Sequence, residues 1–362
     1  MNFLSLISGN RFTIEVRQQI APSLRLYVIA CAVIFSLLIS LSILISVGVD
    51  LNSIYEEFIV FTFFNASGVS TVIVEATPLI LVGLSAAAAF RINYWNIGIE
   101  GQIFMGTVGC TLVAIYDVGP ESVRLFLMFI FGIIFGGLWA LPPAILKVRL
   151  KINEIITTLL FNYFAFYFVL NQVYGSWKDP VDHYPHSEPF DKVERIPQVG
   201  WEELNWGILI SCVAVVLVWW IFERTHFALK SRFVGTNRNM AMAIGLPVTI
   251  ITVASAMISG ALAGTTGFVI ASAHEFRLSP PMVLGYAFSG IVIAFLAANK
   301  PFKVVLVAFL MGGLYVAGES MKVFYNLPDS IIGLIQAIIV LSITASEFFV
   351  RYRIRFVQSG KG

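Results

Sequence analysis

The chain has 362 residues, of which 58% are hydrophobic, 14% aromatic and only 12% charged, with a formal net charge of +2. A soluble globular protein carries about a quarter charged residues, so this composition, with a mean hydropathy of +0.86, excludes a soluble enzyme and a nucleic-acid-binding protein. It predicts an all-α, polytopic transmembrane helix bundle embedded in a lipid bilayer.

Residues 26–49 are the first apolar run: 24 uncharged residues, longer than the core of a secretion signal and long enough to span. Residues 58–74 are uncharged but carry Asn65, Ser67, Gly68 and Ser70. As a full span they would reverse the sidedness of everything after them, so they read as an extracytoplasmic, interfacial or re-entrant piece. Residues 76–90 and 101–116 are short apolar segments, and between them runs Arg91-Ile-Asn-Tyr-Trp-Asn-Ile-Gly-Ile-Glu-Gly-Gln-Ile-Phe-Met105. Hydrocarbon offers no water to satisfy Asn96, Glu100 or Gln102, so each faces protein or a water-filled path. Gluing helices together and lining a path both meet that requirement. Gly98 and Gly101 let a helix or a ligand approach the backbone closely.

Residues 125–146, 155–177 and 204–222 are near span length. The loop at 175–205 is rich in proline, acid and tryptophan, so it reads as ordered but irregular. The loop at 223–246 contains Phe233-Val-Gly-Thr-Asn-Arg-Asn-Met-Ala-Met-Ala-Ile-Gly-Leu-Pro247. Gly235 and Asn237 favour a turn and a helix start, and Ala241, Ala243 and Gly245 give a narrow face of small side chains. Such a helix suits docking into a partner's groove; an ordinary amphipathic linker has a similar look. Residues 239–273 exceed a span and hold Ser259-Gly-Ala-Leu-Ala-Gly-Thr-Thr-Gly267, small residues suited to tight helix packing. Gly290, Gly312, Gly313 and Gly333 are expected to serve likewise. The runs 278–299, 304–318 and 330–346 bring the count to about ten spans. Tyr94, Trp95 and Phe288 are aromatic candidates for stacking on a planar or sugar ligand.

With the N-terminus placed in the cytoplasm, 17 Lys and Arg residues fall inside and only 6 outside: Arg124, Lys178, Lys192, Arg195, Arg277 and Lys322. Cytoplasmic loops carry such an excess, so both termini are expected to be cytoplasmic. The cationic residues assigned to the inside run from Arg11 to Lys361.

Cys31, Cys110 and Cys212 lie in apolar runs and are odd in number, so they read as small hydrophobes and not as a disulfide framework. His183 and His186 share the 175–205 loop with Asp182 among prolines, while His226 and His274 stand alone, so no metal site is expected. No phosphate-binding Gly-x-x-x-x-Gly-Lys-Ser/Thr loop occurs, and no nucleophile–base string. The chain is therefore expected to be no enzyme, and to hold no nucleotide in that manner.

At these residues the chain resembles the permease subunits of bacterial ABC importers for simple sugars and nucleosides, within the branched-chain amino acid and ribose permease superfamily. Asn96-Ile-Gly-Ile-Glu-Gly-Gln102 is similar to that family's Asn-Ile-Gly-x-Glu-Gly-Gln segment, and Asn153-Glu-Ile-Ile-Thr-Thr-Leu-Leu-Phe-Asn-Tyr163 to its Asn-Glu-Val-Ile-x-Thr-x-Met-x-Asn-Tyr stretch. Trp177-Lys-Asp-Pro180 looks like the outer loop of nucleoside-type members, and the loop around Gly235 resembles the family's coupling segment. Met240 and Met242 depart from its usual small or charged residues, and Ala297-Ala-Asn-Lys-Pro301 lacks its usual glycine.

The resemblance implies a single permease domain over residues 1–362 in the bacterial cytoplasmic (inner) membrane, crossing it many times. It implies a separate ABC ATPase that uses ATP and presses on Gly235, Asn237, Ala241 and Gly245. It also implies a second, related permease and an extracytoplasmic binding protein or lipoprotein that delivers a small molecule. No cofactor is implied in this chain. Asn96, Glu100, Gln102, Phe288 and Ser289 become candidates for the substrate path. The competing reading is an ion-coupled secondary transporter, in which Glu75, Glu100 or Glu154 carries a proton.

Overall fold

A computed structural model describes residues 10–17, 21–182 and 184–358. His183 and Lys361 lie outside the described residues. In chain order the helices are α1 (Pro22–Ser46), α2 (Leu51–Tyr55), α3 (Thr62–Phe64), α4 (Ala66–Phe90), α5 (Ile99–Ile115), α6 (Glu121–Trp139), α7 (Leu141–Leu150) and α8 (Glu154–Tyr174). They continue with α9 (Gly207–Trp219), α10 (His226–Thr236), α11 (Arg238–Ala243), α12 (Val248–Val269), α13 (Tyr286–Leu296), α14 (Pro301–Tyr325) and α15 (Asp329–Arg351). Strands β1 (Asn10–Val16) and β2 (Tyr352–Gln358) flank the set. Eight helical stretches are long and apolar enough to cross a membrane, and two shorter apolar helices, Ile99–Ile115 and Pro280–Leu296, accompany them. The chain is a mostly helical, multi-pass integral membrane protein.

The chain divides into two compact units. The larger, residues 58–317, is built around α4, 83% of whose most apolar window is buried. The helix starts where Asn65 adopts an extended backbone and its side chain accepts from the Ser67 N–H, 3.2 Å. Such a cap satisfies one of the orphan donors at a helix start. The expected separate piece at 58–74 is therefore divided in two. Residues 66–74 are the first turns of α4, lengthening the short 76–90 segment to 25 residues, while the stretch before Asn65 is a wide turn from Glu56 to Phe61 followed by α3.

Helices α5, α6 and α12 meet at glycines. A methyl built on Gly106 would sit 2.5 Å from Gly264 Cα, one on Gly136 2.5 Å from the same atom, and one on Gly264 would collide with Gly132 O. The small-residue stretch 259–267 thus brings backbones into contact, the packing route open to helices in lipid. Gly290 lies against Val82, Gly312 against Val72 O, and Gly313 against Phe63. Gly333 differs, because a methyl there meets nothing within 4 Å.

The smaller unit comprises residues 1–57 and 318–362. In it α1 packs on α15 and presents Tyr27, Ile34 and Phe35 outward. It also contains the two-stranded sheet of an otherwise mostly helical chain. Strands β1 and β2 pair antiparallel, with Asn10 opposite Gln358 and Val16 opposite Tyr352.

Candidate functional site

The chain unwinds between α4 and α5. Asn93 takes a left-handed backbone (φ 55°), and residues 94–97 are irregular, with tight turns in which Asn96 N–H donates to Tyr94 O at 3.1 Å and Ile97 N–H to Trp95 O at 3.2 Å, before α5 begins. Asn96, fully buried here, donates from Nδ2 to Gln102 Oε1 and to Ser259 Oγ, both 2.9 Å. Gln102 Nε2 donates back to Asn96 Oδ1 at 3.1 Å, and that oxygen also accepts from the Gly98 N–H at 3.2 Å. Ser85 of α4 completes the set by donating to Ser259 O at 2.8 Å. A polar group inside a membrane bundle is costly unless satisfied, and this closed set satisfies both amides. Asn96 and Gln102 therefore bind α4, α5 and α12 together.

The second motif stretch clamps the first. Asn153 caps α8 by accepting from Ile155 N–H at 2.9 Å, and one turn on Thr158 Oγ1 accepts from Ile97 N–H at 3.2 Å. Asn162 ties the end of the unwound segment to the first turn of α5: its Oδ1 accepts from Gly101 N–H at 2.8 Å, and its Nδ2 donates to Ile97 O at 2.9 Å. The approach explains both glycines. A methyl on Gly98 would lie 2.9 Å from Thr158 Cβ, and one on Gly101 2.9 Å from Asn162 Cα. Glu154, buried at the start of α8, forms an ion pair with Lys147 of α7.

Glu100 is set apart from this network. It faces a cavity of about 240 Å³, whose walls include Phe104 of α5, Leu159, Tyr163 and Phe166 of α8, and Phe288 of α13. Among the described residues its carboxylate makes no hydrogen bond or ion pair with protein. Phe288 is 64% exposed on the same cavity. Ser289, one position on, points elsewhere: its Oγ donates to Gly285 O at 3.0 Å and is bonded to the Tyr315 hydroxyl. Tyr94 is buried, and Trp95 packs on Phe90 and Phe295, with centroids at 5.3 and 5.7 Å. Of the five path candidates, the structure brings Glu100 and Phe288 to one cavity and leaves Asn96, Gln102 and Ser289 outside it.

The loop at 223–246 is two short helices. Thr225 caps α10 and Asn237 caps α11, the latter accepting from Met240 N–H at 3.0 Å. Gly235 lies flush on the Arg91 carbonyl, and its own carbonyl accepts from Asn93 Nδ2 at 2.6 Å. Arg91 also pairs with Glu223 at 3.0 Å. Ala241 is buried, and Gly245 turns the chain with φ 79° in open space. The small side chains at Gly235 and Ala241 are thus used against this chain itself, and the outward surface is larger and apolar. Leu229, Phe233 and Met240 are 40–57% exposed and border a shallow groove of about 190 Å³ that Asn237 and Ala241 also line.

The 175–205 loop is stapled to the segment after α12. Phe190 N–H donates to Phe276 O at 2.7 Å, Ile196 N–H to Ser272 O at 2.8 Å, and Leu278 N–H to Ser187 Oγ at 2.9 Å. Buried Arg124 bridges Glu194 at 3.1 Å and Asp117 at 2.7 Å. His186 is bonded to Asp182 at 3.0 Å and faces the Arg277 guanidinium at 3.1 Å. Thr158, Asn162 and Ser259 lie in stretches that the sequence singles out without giving them a site role, and Ser85 lies outside any such stretch. The first two sit four apart on α8, and that one-face spacing was their signal.

Residues 68–343 match the family described as branched-chain amino acid transport system / permease component. The glucose ABC transporter permease protein TsgB13 of Haloferax volcanii is 29% identical over 330 residues, 88% of this chain and 87% of that protein. The guanosine ABC transporter permease protein NupP of Bacillus subtilis is 32% identical over 292 residues, 78% of this chain and 81% of its own length. The nucleoside ABC transporter permease protein NupB of Lactococcus lactis subsp. cremoris is 25% identical over 323 residues, 86% of this chain and 88% of that protein.

Proposed function

This chain belongs to the branched-chain amino acid transport system permease family, and from that premise we propose that it imports a nucleoside or a simple sugar as one of two permease halves. It is the non-enzymatic, membrane-embedded subunit of an ABC transporter, a class that works with an ATPase and a substrate-binding protein. The second half is a related permease, and the binding protein delivers solute on the extracytoplasmic side. The eight long and two shorter apolar helices make ten crossings of one permease domain, with both termini and the 223–246 loop in the cytoplasm and the 175–205 loop outside. ATP binds the partner ATPase, and no cofactor is needed in this chain.

The observation that carries the path assignment is the Glu100 carboxylate, facing a cavity without a protein partner. A carboxylate at membrane depth marks a substrate path by default. Phe288 lines the same cavity, and Asn96 and Gln102 hold the helices that carry Glu100. The ATPase docks on the groove beside Asn237, Met240 and Ala241. Its closure moves α10 and α11, and the Asn93–Gly235 and Arg91–Glu223 contacts transmit that movement to the unwound segment before α5. ATP then shifts the bundle between two states because docking contacts differ in each.

Purification of a tagged chain from its native host in mild detergent, followed by mass spectrometry, tests the assignment. Co-purification of an ABC ATPase and a second permease is expected. Recovery of this chain alone, active in proton- or sodium-driven uptake, would favour the ion-coupled transporter, a reading the relatives do not support.

A further inference from the structure

We propose that the Glu100 cavity receives the planar base of a nucleoside in preference to a hydroxylated sugar ring, and that it selects bases whose edge offers two adjacent N–H donors. This rests on the reading of that cavity as part of the substrate path. The chemistry is that of guanine, whose ring N–H and exocyclic amine are adjacent.

The lining leads to that choice. Of the polar side chains on the cavity, Asn162 is committed on both sides of its amide, to Ile97 O and to Gly101 N–H. That leaves the Glu100 carboxylate and the Tyr163 hydroxyl to read a ligand. An ionised carboxylate is acceptor-only and has two oxygens, so it is matched by a fork of two donors. The remaining walls are aromatic or aliphatic: Phe104, Phe166, Phe288 and Leu159. A sugar ring would press most of its hydroxyls against these walls, and each hydroxyl buried without a partner is penalised. A purine presents π faces to aromatic walls, where stacking is favourable for every base, and directs its donor edge at Glu100. Tyr163 and Phe288 are 56% and 64% exposed, so both rings are available as stacking surfaces. At about 240 Å³ the cavity is smaller than the usual range for whole drug-sized ligands. It is sized for a ring system, with the rest of the ligand extending toward the second permease.

The test uses the complete transporter in proteoliposomes, with one binding protein throughout, and measures KM for guanosine, inosine and glucose. Inosine lacks the exocyclic amine and so isolates the second donor. The wild type is expected to favour guanosine over inosine. Glu100→Gln should raise the guanosine KM about tenfold or more, the effect of losing a hydrogen bond to a charged group, and should move the guanosine-to-inosine ratio toward one. Because the binding protein is unchanged, a changed ratio belongs to the permease. Glu100→Asp, which keeps the acceptor pair, should restore most of the ratio, and Phe288→Ala should weaken both nucleosides together. Three results would overturn the inference. If Glu100→Gln assembles normally and impairs glucose uptake as much as or more than nucleoside uptake, the path reading stands and the base assignment fails. If it lowers guanosine and inosine uptake equally, the two-donor selection fails. If assembled Glu100→Gln and Phe288→Ala transporters handle all three solutes as the wild type does, the cavity is not on the path.

Discussion

Replacing Asn96 with Leu separates packing from transport. The side chains have the same number and branching of heavy atoms, so the change removes hydrogen bonds without opening a cavity. It leaves three buried groups without their partner: the Gln102 carbonyl, the Gln102 amide N–H and the Gly98 N–H. Ser259 keeps its contact with Ser85 and adds little to the loss. Stranded buried groups cost about 1–3 kcal/mol each in water-soluble proteins, whereas polar pairs between membrane helices average about 0.6 kcal/mol. Three such groups therefore destabilise the bundle by about 2–3 kcal/mol. Thermal unfolding of the purified complex in detergent reads this as a lowered transition temperature. Asn96→Leu combined with Gln102→Leu removes both amides, and replacing both partners by apolar groups is nearly neutral. The double variant should recover most of the lost stability and retain transport. A single variant as stable as wild type, or a double variant no better than the single, would refute the closed-network account.

Asn93→Ala removes the 2.6 Å bond to Gly235 O; reconstituted complexes should still hydrolyse ATP but import several-fold less solute per ATP, and an unchanged ratio would remove Asn93 from the coupling route. Met240→Asp places a charge on the exposed apolar rim of the groove, so the ATPase should co-purify poorly while insertion is normal. Gly264→Ala forces a methyl into Gly132 O, an overpacking worth about 1–3 kcal/mol, and should lower yield and thermal stability where Gly333→Ala, in open space, leaves both intact. A bulky residue at Gly245 meets no neighbour but must adopt φ 79°, so membrane insertion should persist while transport falls; normal uptake would count against a docking role for this turn.

The apolar runs were legible because lipid demands length and hydrophobicity, which a sequence displays directly. The exceptions lay where a polar residue marked a boundary. By its polarity Asn65 suggests an interfacial piece, yet its side chain starts α4 through a local hydrogen bond that hydropathy does not weigh. At the site, the sequence identified Asn96, Glu100 and Gln102 together as polar groups at membrane depth. It did not separate them, because their difference depends on Ser259, 163 positions away from Asn96, supplying a partner. Glu100 has no such partner among the described residues and faces the cavity. Ser289 and Phe288 are neighbours in sequence but point apart on α13, and the Tyr315 hydroxyl that holds Ser289 belongs to another helix. In the 223–246 loop the small residues were visible, but not which side they faced; the Arg91 carbonyl and Asn93 turn Gly235 inward and leave Met240 outside.

The central claim is ATP-driven import through this subunit, and uptake of labelled guanosine and glucose into proteoliposomes containing the purified complex and its binding protein tests it most directly. The account predicts uptake that requires ATP, is abolished by an inactive ATPase and persists when ionophores collapse the proton and sodium gradients. Uptake that survives without ATPase and vanishes with the ion gradient would contradict it.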